Sequence, residues 1–186
     1  MLTTEQKAVV KADILAAPDL SIYPENSDGS WAIADLYNLP ASPEVKVWNT
    51  RAPISAIYDA IVWANFTPND AADGTALYTN RLLAIQTKQM NLQSMIQGRE
   101  TIDASKANVR AGLRDAVVSI PSGAAGAAVS AGGVSGVNVM NALTRPATRL
   151  EALLASGPVQ TGTVSAGVMG HEGGVNYQQI DLARFW

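Results

Sequence analysis

The sequence predicts a mainly α-helical protein: a bundle of about six helices with a long flexible loop and an extended, partly β C-terminal arm. Three observations predict it. Apolar residues recur at helical spacing in successive segments up to Ala155. Residues 122–136 are Gly, Ala, Ser and Val only. After Gly157-Pro158 the helical period gives way to a Thr/Val/Gly chain. The expected division is a helical body over residues 1–157, with the flexible loop at 122–136, and an arm over 158–186.

The first helix starts at Thr3, because Thr3 and Gln6 have the capping-box spacing. Val10, Ile14 and Ala17 form its apolar stripe, and Pro18 stops it. The polar turn from Pro24 to Gly29 follows, and Ser27 or Asp28 caps a second helix with Ile33, Leu36 and Tyr37 inward. Residues 44–49 alternate polar and apolar between turn residues, which reads as an extended linker able to pair as an edge strand. Pro53 stands at a first helical position. Ile54, Ile57, Tyr58 and Ile61 make the stripe behind it. A loop with Pro68, Asn69, Asp70 and Gly74 precedes the longest helix, Thr75 to Gln97, which Gly98 ends. One face of that helix carries Asn80, Thr87, Asn91 and Ser94, which suits either a subunit interface or solvent. Asp103 or Ser105 caps a fifth helix with Val109, Leu113, Val117 and Ile120 inward. Gly112 in its middle permits close approach of another helix, at a cost of about 1 kcal/mol against alanine. A sixth helix is expected from about Val137 to Ala155, kinked by Pro146 or split at Thr144-Arg145. In the arm, residues 159–168 look like a strand in need of a partner. A turn follows at 170–174, and Tyr177 to Phe185 is a short terminal helix.

Composition narrows the function. The chain of 186 residues is 47% hydrophobic but only 16% charged, well under the usual quarter. Low charge with many small residues suits a surface that meets other protein. A net charge of −3 without a basic patch argues against a dedicated nucleic-acid reader. The absence of cysteine excludes disulfide and thiol chemistry. MLTTEQKAVVKAD carries charges where a signal peptide needs an apolar run, and no stretch has the length of a membrane span.

Catalytic constellations are hard to build from these residues. His171 is the single histidine, and beside Glu172 it lacks the further ligands a metal needs. Ser165 lies in Gly162-Thr163-Val164-Ser165-Ala166-Gly167, but a nucleophile elbow needs Gly at 163. The glycines of 123–136 lack the Lys-Ser/Thr of a phosphate loop. Of the four tryptophans, Trp31, Trp48 and Trp63 read as core or edge anchors. Phe185 and Trp186 place two large rings at a chain end that normally frays, which suits docking on a neighbour.

Several short motifs form a pattern. They are the Thr3-Thr4-Glu5-Gln6 helix start, Asn26-Ser27-Asp28-Gly29 before an Ala/Ile helix, Ala41-Ser42-Pro43, Val47-Trp48 and Thr50-Arg51. Asn108-Val109-Arg110-Ala111-Gly112-Leu113, Ala147-Thr148-Arg149-Leu150-Glu151, and Gly174-x-x-Tyr177 with Ala183-Arg184 complete it. The pattern resembles a group of small proteins encoded among the structural genes of tailed bacteriophages, and it covers most of the chain. The resemblance implies a non-enzymatic virion protein without cofactor or metal. Its roles include head–tail connector or adaptor, neck subunit, decoration protein and tail terminator. A helical body with an arm favours the connector. Such a subunit packs with itself in a homo-oligomeric ring, a dodecamer for example, below the portal. Its partners are the portal protein and neck or tail proteins, with DNA only as a passing, non-specific cargo and no membrane. It is made in the host cytoplasm and resides in the virion neck. The arm supplies the candidate partner-binding residues Val164, Val168, Tyr177, Ile180, Phe185 and Trp186. The alternatives are another virion subunit, capsid-associated or tail-completing, and a small serine hydrolase using Ser165 and His171.

Overall fold

The structure is a computed structural model that describes residues 1–63, 76–117 and 131–185. The described residues form eight helices and six strands, a mixed α/β fold rather than a mainly α bundle of six helices. The sequence reading anticipated extended chain at 44–49 and 159–168, where β1, β5 and β6 stand, and missed β2, β3 and β4, which are only two or three residues long.

The chain divides into two compact units. Unit 1 comprises Met1–Val47, Arg145–Val159 and Ala166–Trp186, and unit 2 comprises Trp48–Thr144 and Gln160–Ser165. The residues of the expected arm, 158–186, fall partly in unit 1 and partly in unit 2.

In unit 1, α1 (Thr4–Ala16) begins with the expected capping box between Thr3 and Gln6. The second helix, α2 (Ser27–Asn38), is capped by Asn26, whose side chain accepts from Gly29 N–H at 2.9 Å, and not by Ser27 or Asp28. Gly29 is required there, since a Cβ would stand 2.0 Å from the Pro24 carbonyl oxygen. The expected sixth helix is two helices, α6 (Ala131–Ala142, in unit 2) and α7 (Arg149–Leu154, in unit 1), with strand β4 (Thr144–Pro146) between them. Pro146, which lacks an N–H, sits at the end of an edge strand, where no helical bond is demanded of it. The last helix, α8 (Tyr177–Arg184), carries a capping box between Asn176 and Gln179. It packs on α1 and α2. Val10, Ile14, Ile33, Tyr37, Leu150, Ile180 and Ala183 belong to one buried core.

Residues 44–49 supply β1 (Lys46–Trp48), which is an inner strand and not an edge. Strands β5 (Ser156–Thr161) and β6 (Val164–Val168) form a hairpin whose turn contains Gly162 at φ +66°. The sheet order is β4-β1-β6-β5, and β1 runs parallel to β6 with Val47 opposite Gly167. The strand at 159–168 thus finds its partners within its own chain.

In unit 2, β2 (Ala52–Pro53) pairs antiparallel with β3 (Thr101–Ile102). Pro53 stands just before α3 (Ile54–Ala60), one place earlier than the expected first helical position and without a side-chain capping bond, and Ile54 and Ile57 are inward. The long helix α4 (Ala76–Ile96) matches its expected span and buries Ile85, Leu92 and Ile96. It packs on α5 (Ala107–Val117), and α5 packs on α6. Gly112 allows the first approach: a Cβ there would lie 2.8 Å from the Met95 methyl carbon. Of the expected flexible loop, 131–136 is the start of α6. Residues 122–130 lie outside the described residues, as do Ile120, Trp186 and the loop before α4.

Candidate interaction surface

The six residues expected to bind partners divide sharply. Ile180 is fully buried in the unit 1 core and Val164 is buried in β6. Ile180 lies on the buried face of α8, which packs on α1 and α2. Val168 is half-buried. Tyr177 stacks on Trp31 with ring centroids 4.4 Å apart and planes 18° from parallel. Phe185 keeps 57% of its surface exposed. Trp186 lies outside the described residues.

One surface of unit 1 open to a partner is a rim around the end of α8. Arg184 anchors it by donating to Ser30 Oγ at 3.2 Å and to the Tyr23 and Pro24 carbonyls at 3.2 and 3.0 Å. Its guanidinium carbon lies 5.6 Å from the Phe185 ring centroid. Phe185 and Arg184 then border a groove of about 280 Å³, with Leu15 and Leu20 in its wall and Lys11 and Glu25 also lining it. Leu15 in this wall is 68% exposed; Ile22 and Trp31, which do not line the groove, are 74% and 52% exposed.

Behind that rim, the segment 169–175 is tied down by a network the sequence analysis missed. Glu151 is buried, and Arg145 grips it with two hydrogen bonds of 2.8 and 2.7 Å. Gly173 N–H donates to the same carboxylate at 3.0 Å and Thr148 N–H at 3.0 Å. Burial by itself would raise the Glu151 pKa. The hydrogen bonds from Arg145, Gly173 and Thr148, with the Arg145 charge, outweigh it and hold the value down at about 2. Gln6 donates to the Gly170 carbonyl at 2.6 Å, and Asn38 both donates to and accepts from the Val175 backbone. The available signal was Thr148-x-x-Glu151, a capping-box spacing, here doubled as an anchor for a distant loop.

A second network lies beside a groove of about 610 Å³ that includes Leu36, Leu39, Pro40 and Leu153. Arg149 pairs with Asp19, and Asp13 accepts from the Tyr37 hydroxyl at 2.8 Å. Burial, followed by the Asp13 hydrogen bond and charge, pushes the Tyr37 pKa well above the usual phenol range. In unit 2 the buried Arg110 lies 4.5 Å from the Trp48 ring centroid and donates to the Ala104 and Ser105 carbonyls, each at 2.7 Å. The short motifs singled out in the sequence therefore hold the fold: Asn26 and Gly29, Trp48 and Arg110, Thr148, Arg149 and Glu151 each make a specific contact.

Ser165 stands within strand β6, whereas an elbow needs a sharp strand-to-helix turn. His171 is half-buried and its Nε2 has no hydrogen-bond partner. Burial, then the Met1 ammonium, lower its pKa against the opposing pull of Glu151 and the Gly173 and Gly174 backbone. Among the described residues no three His, Asp or Glu side chains are placed to hold a metal ion, and no helix is long and apolar enough to cross a membrane. Comparison with known protein families, with characterised proteins and with solved structures gives no match.

Proposed function

We propose that the chain is a bacteriophage virion structural protein, a head–tail connector subunit that assembles in a ring below the portal. The observation that carries this reading is the exposed apolar rim of unit 1, formed by Leu15 near the end of α1 and Phe185 at the end of α8. Apolar groups of that size left in water favour a surface that another protein covers. The motif resemblance supplies the phage context. In a ring each weak contact is repeated around a closed circle, so modest rims suffice. The docking element in this reading is this rim, with Phe185 on its border.

The experiment is negative-stain imaging of the purified chain with and without the portal ring, with particle incorporation read alongside. Wild type should form rings on the portal. A Leu15→Ser/Phe185→Ser variant should keep its helical circular dichroism and a Tm within about 3 °C of wild type, yet fail to enter particles. Normal incorporation of that variant, or a wild type that ignores the portal, would overturn the reading.

A further inference from the structure

Unit 2 contains a cleft of about 290 Å³ bounded by α5, α6 and the β5–β6 turn. Gly136, Val137 and Met140 form its apolar wall, and Arg114, Thr161 and Thr163 supply its polar groups. None of the described residues lining it is acidic.

Two guanidinium groups, one helical turn apart on α5, approach the same turn. Arg110 is 1% exposed, and its Nε donates to Thr161 Oγ1 at 3.0 Å. Its charge is met by carbonyls, that hydroxyl and the Trp48 face, with no carboxylate among the described residues. A buried cation without a counter-charge favours an anion nearby. Having accepted from Arg110, the Thr161 hydroxyl has its proton left to give. Arg114 is exposed and makes no hydrogen bond or ion pair with any described residue. It lies across Gly162, where a Cβ would stand 3.0 Å from its Nε. Glycine at this turn leaves the guanidinium room beside the cleft.

We propose that this cleft binds a carboxylate carried on an apolar stem, with Arg114 and the Thr161 hydroxyl taking the carboxylate and Val137 and Met140 taking the stem. A planar carboxylate matches one exposed guanidinium fork. A phosphate would press strongly hydrated oxygens against the apolar wall of α6. The inference is independent of the assembly reading. The same chemistry comes from two sources, a free aliphatic carboxylate or a Glu beside an apolar residue on a partner protein.

The test is calorimetric titration of the intact chain at pH 7.5 and low salt with hexanoate, hexanol, inorganic phosphate and acetyl-Leu-Glu-Leu-amide. Hexanoate or the peptide should saturate, with hexanol and phosphate weaker by about tenfold or more. Tighter binding of the peptide identifies a protein source, and tighter hexanoate a free ligand. Arg114→Gln and Thr161→Val should each weaken binding about fivefold or more, while Arg99→Gln, outside the cleft, should not. The proposal is overturned if neither carboxylate saturates by about 10 mM, the weak end of specific affinity. It also fails if phosphate binds as well as hexanoate, or if Arg114→Gln binds like wild type.

Discussion

Replacing Glu151 tests the reasoning about unit 1 most directly. Glu151→Ala removes the acceptor for both Arg145 nitrogens, for Gly173 N–H and for Thr148 N–H at once. Breaking a buried ion pair from one side costs about 3–5 kcal/mol. Arg145 keeps 28% of its side-chain surface and can rehydrate, which argues for the low end. Loss of the Glu151 half of the capping box on α7, with the Thr148 side-chain cap retained, adds up to about 1 kcal/mol. A total near 4 kcal/mol is a large part of the roughly 5–15 kcal/mol that holds a domain together. Glu151→Gln keeps the shape and one acceptor, so about 2 kcal/mol is expected for it. The pH dependence separates charge from shape. The Glu151 pKa lies at about 2, below the ordinary value of 4.5. A depressed carboxylate contributes stability that is present above the unfolded pKa and lost as pH falls through the folded one. The gap between wild type and Glu151→Gln should thus be full at pH 7 and shrink between about pH 4.5 and 2. Urea unfolding followed by circular dichroism at pH 7, 4 and 2.5 gives the gap. A cost under about 1 kcal/mol at pH 7, or a gap that does not change with pH, refutes the argument.

Four further outcomes follow from particular contacts. Gly29→Ala should lower Tm by several degrees or prevent folding, because its Cβ would meet the Pro24 carbonyl oxygen at 2.0 Å; a thermal melt decides. Arg110→Ala should destabilise unit 2 by about 3 kcal/mol, since two carbonyls and a hydroxyl lose their donor and Trp48 loses its cover, read by urea unfolding with tryptophan fluorescence. Tyr177→Ala should cost about 1 kcal/mol through the lost stack on Trp31, with a matching change in Trp31 emission. The His171 pKa is lowered on folding, so stability should decline as pH falls below about 6.5, and His171→Gln should flatten that decline in melts between pH 5 and 8.

By itself the sequence determined the local signals: the Thr3–Gln6 box, the stops at Pro18 and Gly98, and the span of α4. Each is written in residues of one contiguous segment. It also ruled out disulfide and thiol chemistry, since the chain has no cysteine. The tertiary structure alone decided the rest. Val47 meets Gly167 across a parallel ladder, and nothing within the three residues of β1 names a partner 120 positions away. The sequence marks Ile180 and Phe185 alike as apolar residues near a chain end, yet one is sealed in a core and the other stands in water. Amphipathicity says that a face will be covered, not by what. The four acceptances of Glu151, and the pairing of Arg110 with Thr161 rather than an acid, likewise depend on which distant segments the packing brings within 3 Å.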